Sequence, residues 1–191
     1  MRNSIRPQVS VFIATSLDGF ISRTDGRIDW LEAQNGRVPP GEDCGYGAFY
    51  SRVDVLVLGR ASFEKVLSFP EWPYGPKPVV VLSSRPEQVE VPDFLRGTVS
   101  VTDESPSGLL ERLSTEGFKH VYLDGGRTIQ SFLSEGLVDH LTVTLIPVLL
   151  GSGRPLFGPL PQDMGLKLCS TQSYPFGFVQ LSYEPEKQLK N

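Results

Sequence analysis

Val121-Tyr122-Leu123-Asp124-Gly125-Gly126-Arg127-Thr128-Ile129-Gln130 holds a short apolar run that stops at two glycines, with a helical pattern (Ile129, Phe132, Leu133, Leu137) starting directly behind them. A strand that turns into a helix through paired glycines brings its backbone close to a neighbour. It also leaves the first helical N–H groups open to an anion. Two more strand ends carry the same chemistry. Val57-Leu58-Gly59-Arg60-Ala61-Ser62 supplies a glycine, a fixed positive charge and a hydroxyl placed to cap the next helix. Val81-Leu82-Ser83-Ser84-Arg85 sets two hydroxyls and a guanidinium behind a buried strand, and an Arg fork matches a terminal phosphate. Each turn alone also reads as an ordinary cap or solvated loop. Three together suggest a ligand with several phosphates, such as a dinucleotide, although neither G-x-G-x-x-G nor a Walker loop is present.

Around these ends the chain alternates. Strands are predicted over residues 9–14, 53–58, 78–82, 99–101, 120–123 and 141–146. Helices are predicted near Asp43 with a core over 48–52, from Ser62, over 108–115 and from Gly126. Residues 26–44 are rich in Gly and Pro and read as irregular chain anchored by Trp30 and Leu31. Two final strands, 166–171 and 178–183, are joined by Tyr174-Pro175-Phe176-Gly177 and should pair antiparallel. The expectation is a single three-layer α/β domain over residues 1–191, with a mostly parallel sheet and an antiparallel C-terminal edge. Ligands of such sheets lie at the carboxyl ends of the parallel strands.

Bulk properties narrow the partners. The chain has 191 residues, 39% hydrophobic and 21% charged, and a net charge of −4, which describes a globular protein without a global positive field. Nucleic acid and membrane are not expected as partners; a small-molecule substrate is. Two cysteines (Cys44, Cys169) and two histidines (His120, His140) are too few for a disulfide framework or a typical metal centre, so no metal is expected. Residues 1–8 lack the apolar core of a signal peptide and no apolar run reaches membrane length, so the expected compartment is the cytoplasm.

Ala14-Thr15-Ser16-Leu17-Asp18-Gly19, Gly59-Arg60 with Ser62, Leu82-Ser83-Ser84-Arg85 and Asp124-Gly125-Gly126-Arg127 resemble, in order and spacing, the dihydrofolate reductase superfamily. Ser16-Leu17-Asp18-Gly19 and the runs Gly136-Leu137-Val138-Asp139 and Pro147-Val148-Leu149-Leu150-Gly151 are closer to the riboflavin-biosynthesis reductase (RibD C-terminal domain) family and its stand-alone relatives. The resemblance implies an NADPH-dependent reductase that passes hydride to a small heterocycle. It implies that Gly59, Arg60, Ser62 and Gly125, Gly126, Arg127, Thr128 and Ile129 hold the pyrophosphate. Leu82, Ser83, Ser84 and Arg85 would surround the 2′-phosphate, and Ala14 would face the nicotinamide amide. On the substrate side it points to Asp18, Trp30, Tyr46 and, as catalytic carboxylate, Asp43. Asp43 is equally a helix cap, Asp18 a turn residue and Trp30 a loop anchor. Asp124 either orients its turn or faces the pocket. The nearest named activity is 5-amino-6-(5-phosphoribosylamino)uracil reduction, with dihydrofolate or pterin reduction, or NADPH binding without turnover, as alternatives. One departure is that Asp29-Trp30-Leu31-Glu32 stands where those reductases carry a Ser/Arg segment for the ribose phosphate. The family likeness also implies a homodimer, formed through residues 141–150.

Overall fold

A computed structural model describes residues 6–186. Its centre is an eight-stranded sheet in the order β5-β4-β3-β6-β1-β7-β10-β9. Six strands are mutually parallel: β1 (Gln8–Ser16), β3 (Val55–Gly59), β4 (Val79–Leu82), β5 (Val99–Thr102), β6 (His120–Asp124) and β7 (His140–Ile146). The last two, β9 (Leu166–Ser173) and β10 (Val179–Pro185), run antiparallel and complete the predicted C-terminal edge.

Alternation along the strands fixes the layers. Val55, Val57, Val121 and Leu123 turn to one face, where Leu109, Leu110 and Leu113 of α4 (Pro106–Thr115) and Ile129, Phe132 and Leu133 of α5 (Gly126–Ser134) cover them. Leu56, Leu58 and Tyr122 turn to the other face. They meet Phe63 and Val66 of α3 (Arg60–Leu67) and the aromatic rings of α2 (Tyr46–Tyr50). Both faces are therefore apolar, as parallel strands require.

Three expectations need correction. The segment read as irregular contains α1 (Asp29–Asn35), which buries Trp30 against Ile146 and Phe178. Only Trp30 is fully buried, with the adjacent Leu31 half-buried against the same cluster, too few apolar positions for periodicity to reveal a helix. Ahead of that segment the chain also forms an unpredicted strand, β2 (Phe20–Ser22), which pairs with the two-residue β8 (Arg154–Pro155) in a separate small sheet. Finally, β7, which lies in the stretch the homodimer expectation rests on, is an interior strand. It lies between β1 and β10, and its apolar run needs no partner molecule to cover it. The C-terminal edge is β9, exposed along its length, with Leu168 at 50% exposure. Among the described residues no helix is long and apolar enough to cross a membrane, and no His/Cys/Asp/Glu group has the arrangement of a metal site.

Candidate active-site cleft at the carboxyl ends of the strands

The two glycine turns predicted to grip a ligand first grip one another. Gly125 has φ +95°, a region side chains rarely adopt, and a Cβ there would run into the Ser62 Oγ. A Cβ on Gly59 would come within 2.8 Å of the Thr128 Oγ1, and one on Gly126 within 2.8 Å of the Ile21 Cδ1. The missing side chains let the β3–α3 and β6–α5 turns lie against each other and beneath the β2–β8 flap. Gly125→Ala adds both backbone strain and this collision, an expected loss of about 1–3 kcal/mol, or roughly 2–10 °C in Tm. In thermal denaturation the added Ser62→Gly change should return only the collision part, since the φ strain stays.

Ser62 does not cap α3 as predicted. The helix begins two residues earlier, with Gly59 at its N-cap, and neither α3 nor α5 has a side-chain cap. Two helix N-termini thus lie side by side with unsatisfied first-turn N–H groups, an arrangement that attracts phosphate oxygens. The Ile129 N–H is already bonded to the Gly125 carbonyl and its side chain is fully buried, so Ile129 holds the turn together.

These turns open on one cleft of about 1290 Å³. Gly59, Arg60, Ser62, Leu82, Ser83, Ser84, Arg85, Gly125, Gly126, Arg127, Thr128 and Ala14 all line it, so the structure brings most of the predicted cofactor set together. Arg60 is held in place by two bonds, from its Nε to the Glu64 Oε1 at 2.6 Å and from its Nη1 to the Gln88 Oε1 at 3.1 Å. Ser83 accepts the Arg85 N–H at 3.1 Å, which shapes the loop carrying that guanidinium.

Ala14 sits in a notch. β1 pairs with β6 only as far as Val11, whereas its pairing with β7 continues to Ser16. The Phe12 carbonyl faces the β6 side, where it accepts the Tyr122 O–H at 3.0 Å. Strand alternation turns the N–H and C=O of Ala14 the same way, past the end of β6, where the ladder supplies no partner. A ligand amide finds both a donor and an acceptor there.

The predicted substrate residues fare differently. Both Asp43 oxygens accept backbone N–H groups, from Gly45 and Gly47 at 2.8 Å each, and these bonds lower its pKa. It is exposed, stands two residues ahead of the Gly45 N-cap of α2 rather than at the cap itself, and does not line the cleft. Asp18 staples the turn after β1 to the loop after β7, accepting from Ser16 Oγ (2.6 Å), Gly151 N (2.7 Å) and Leu150 N (3.1 Å). The Ser16 hydroxyl is the main cause of its lowered pKa. Trp30 packs inside its own cluster with its Nε1 lacking a partner. Tyr46 stacks on Tyr50 (centroids 5.5 Å apart) and meets Phe12 and Tyr122 edge-on.

The ionisable group that does face this part of the cleft is Asp124. It ends β6 on the face of Tyr122, lines the cleft, and accepts the Tyr74 O–H at 3.1 Å. Burial raises its pKa, while the Tyr74 O–H and the Gly125 N–H act the other way. Its charge in turn pushes up the nearby phenols of Tyr46, Tyr74 and Tyr122, on top of their own burial. Tyr74 was not legible beforehand, because Pro73-Tyr74-Gly75-Pro76 reads as a plain turn. Arg154 and the flap it belongs to were missed for the same reason.

A family model described as the RibD C-terminal domain matches residues 7–179. The protein named YwjB of Bacillus subtilis (strain 168) is 36% identical over 176 residues, covering 91% of this chain and 95% of that one. Among solved structures, a putative riboflavin biosynthesis protein from Shewanella sp. PV-4 is 39% identical with a TM-score of 0.85, covering 94% of this chain and 99% of that one. The riboflavin biosynthesis reductase Rib7 of Saccharomyces shares the fold at 19% identity and a TM-score of 0.62, over 97% of this chain and 93% of its own.

Proposed function

The chain belongs to the RibD C-terminal domain family, and on that premise we propose that it is an NADPH-dependent reductase of a small heterocycle. The observation that carries the reading is the pair of uncapped helix N-termini opening on one cleft beside the unpaired main chain of Ala14. Bound NADPH supplies hydride to a C=N or C=O bond, as in 5-amino-6-(5-phosphoribosylamino)uracil reduction or pterin reduction. In this reading the N–H groups of α3 and α5, with Arg60 and Arg127, hold the pyrophosphate. Ser83, Ser84 and Arg85 hold the 2′-phosphate, and Ala14 orients the nicotinamide amide. Asp124, hydrogen-bonded by Tyr74, replaces Asp43 as the carboxyl that meets the substrate, because the Asp43 oxygens are already occupied.

Turnover is tested by following NADPH absorbance with a panel of aminopyrimidine and pterin substrates. Oxidation that depends on one of them supports the reductase. NADPH binding without oxidation across the panel favours a binding module instead. The proposed setting is the cytoplasm, and the proposed assembly is a homodimer. Support for the dimer now comes from the uncovered β9 edge with Leu166 and Leu168 rather than from β7. Light scattering at micromolar concentration should give twice the chain mass; a monomer removes this part of the reading.

A further inference from the structure

We propose that Arg154, on the flap strand β8, is a specificity-determining residue that holds an anionic substituent of the substrate, a phosphate or a carboxylate; the inference rests on the reductase reading above. Among the described residues five cations line the cleft. Arg60, Lys65, Arg85 and Arg127 belong to α3, the turn after β4 and the start of α5, where that reading places the cofactor's own phosphates. Arg154 alone comes from the flap. The same flap and the turn behind β2 bring Ile21, Gly26 and Ile28 into the cleft lining, so the guanidinium stands beside apolar wall.

The chain around Arg154 is fixed from several sides. Arg154 pairs with Ser22 across the flap, and the Leu156 N–H donates to the Gly19 carbonyl at 3.0 Å. From α5, the Gln130 Nε2 donates to the Pro155 and Leu156 carbonyls at 3.0 and 3.2 Å. The side chain is anchored as well. Its Nε donates to the Thr24 carbonyl at 3.2 Å, and the fork lies against Gly26, where a Cβ would sit 3.4 Å from both terminal nitrogens. Those two nitrogens have no hydrogen-bond or ion-pair partner among the described residues. The carboxylates of the same loop are engaged elsewhere: Asp25 accepts from Arg27 at 2.7 Å, and Asp29 accepts from two nitrogens of Arg23 at 2.7 and 3.0 Å. The loop therefore cancels its own charges and leaves the Arg154 fork uncompensated at the cleft. A fork that is already placed loses little further side-chain entropy when an oxyanion takes its two free nitrogens.

The test titrates two pairs of compounds into the NADP+-loaded protein by calorimetry. One pair is 5-amino-6-ribosylaminouracil and its 5′-phosphate; the other is the neutral dimethyl ester of dihydrofolate and dihydrofolate itself. In at least one pair the anionic member is expected to bind ~10-fold or more tightly than the neutral one, and the pair that shows it tells phosphate from carboxylate. Arg154→Ala should weaken that anionic member alone and bring the two to within about two-fold, whereas Arg154→Lys should keep part of the preference. Equal binding within both pairs overturns the proposal, as does a preference that survives Arg154→Ala. Equal weakening of the neutral member overturns it too, because it marks a structural role, and weakening of NADP+ itself would give Arg154 to the cofactor. Failure of all four compounds to bind the loaded protein likewise overturns it. Failure of the underlying reductase reading appears separately, as a protein that cannot be loaded with NADP+.

Discussion

Replacing Arg85 by alanine should raise the dissociation constant for NADPH by ~10- to 150-fold while leaving that for NADH within about two-fold. The range corresponds to a hydrogen-bonded charged pair of about 1.5–3 kcal/mol. Only the 2′-phosphate distinguishes the two cofactors, so a residue that binds it must discriminate between them. Arg85 stands at the far end of the cleft from Ala14, on an exposed loop shaped by its own N–H bond to the Ser83 Oγ. Because no buried packing depends on it, the substitution should leave Tm unchanged, and the affinity change reads out contact alone. Equal losses for both cofactors would remove the 2′-phosphate assignment from this loop.

Asp124→Asn is expected to separate activity from stability. The variant keeps the side-chain volume and the NADPH site but cannot give up or take a proton, so kcat should fall by ~10²-fold or more, with the NADPH dissociation constant unchanged. Stability should move the opposite way. Burial raises the folded-state pKa of Asp124 above its unfolded value, so the folded chain keeps a proton that the unfolded chain releases. The wild type is therefore most favoured below the unfolded pKa of about 3.9. It loses stability as pH climbs through the folded pKa, then levels off. Asparagine has no such loss, so the Tm advantage of the variant should grow from pH 4 toward pH 8, by roughly 2–4 °C for each kcal/mol recovered. Tyr74→Phe removes the O–H that favours the charged carboxylate and should raise the Asp124 pKa further, displacing the pH profile of kcat upward without abolishing activity. An Asp124→Asn enzyme with unchanged kcat would return this carboxyl to a turn-holding role.

The parallel core was legible because strands buried on both faces write themselves as unbroken apolar runs, such as residues 55–58 and 79–82. The glycine turns were legible for a related reason. Their spacing after those runs placed them at carboxyl ends, and the structure gathers them into one cleft. What the glycines accommodate was not legible. Ser62, Thr128 and Ile21 come from remote segments, and only the packed fold shows that they occupy the space a Cβ would need. Asp43 and Asp124 illustrate the same limit. Both are carboxylates beside glycines, yet one accepts two local N–H bonds at the surface and the other is enclosed by phenols from three separate segments. Burial decides between them, and burial is a property of the whole sheet. The β2–β8 flap and α1 were hidden because three strand residues, two more, and one buried Trp are too few to set up a period.

Titration of NADPH into the protein, followed through the fluorescence of Trp30 and Trp72, tests the central claim most directly. The expected result is saturable binding at one site per chain, weakened by Arg85→Ala and competed by NADP+. Unchanged fluorescence, together with no heat of binding in calorimetry, would contradict it.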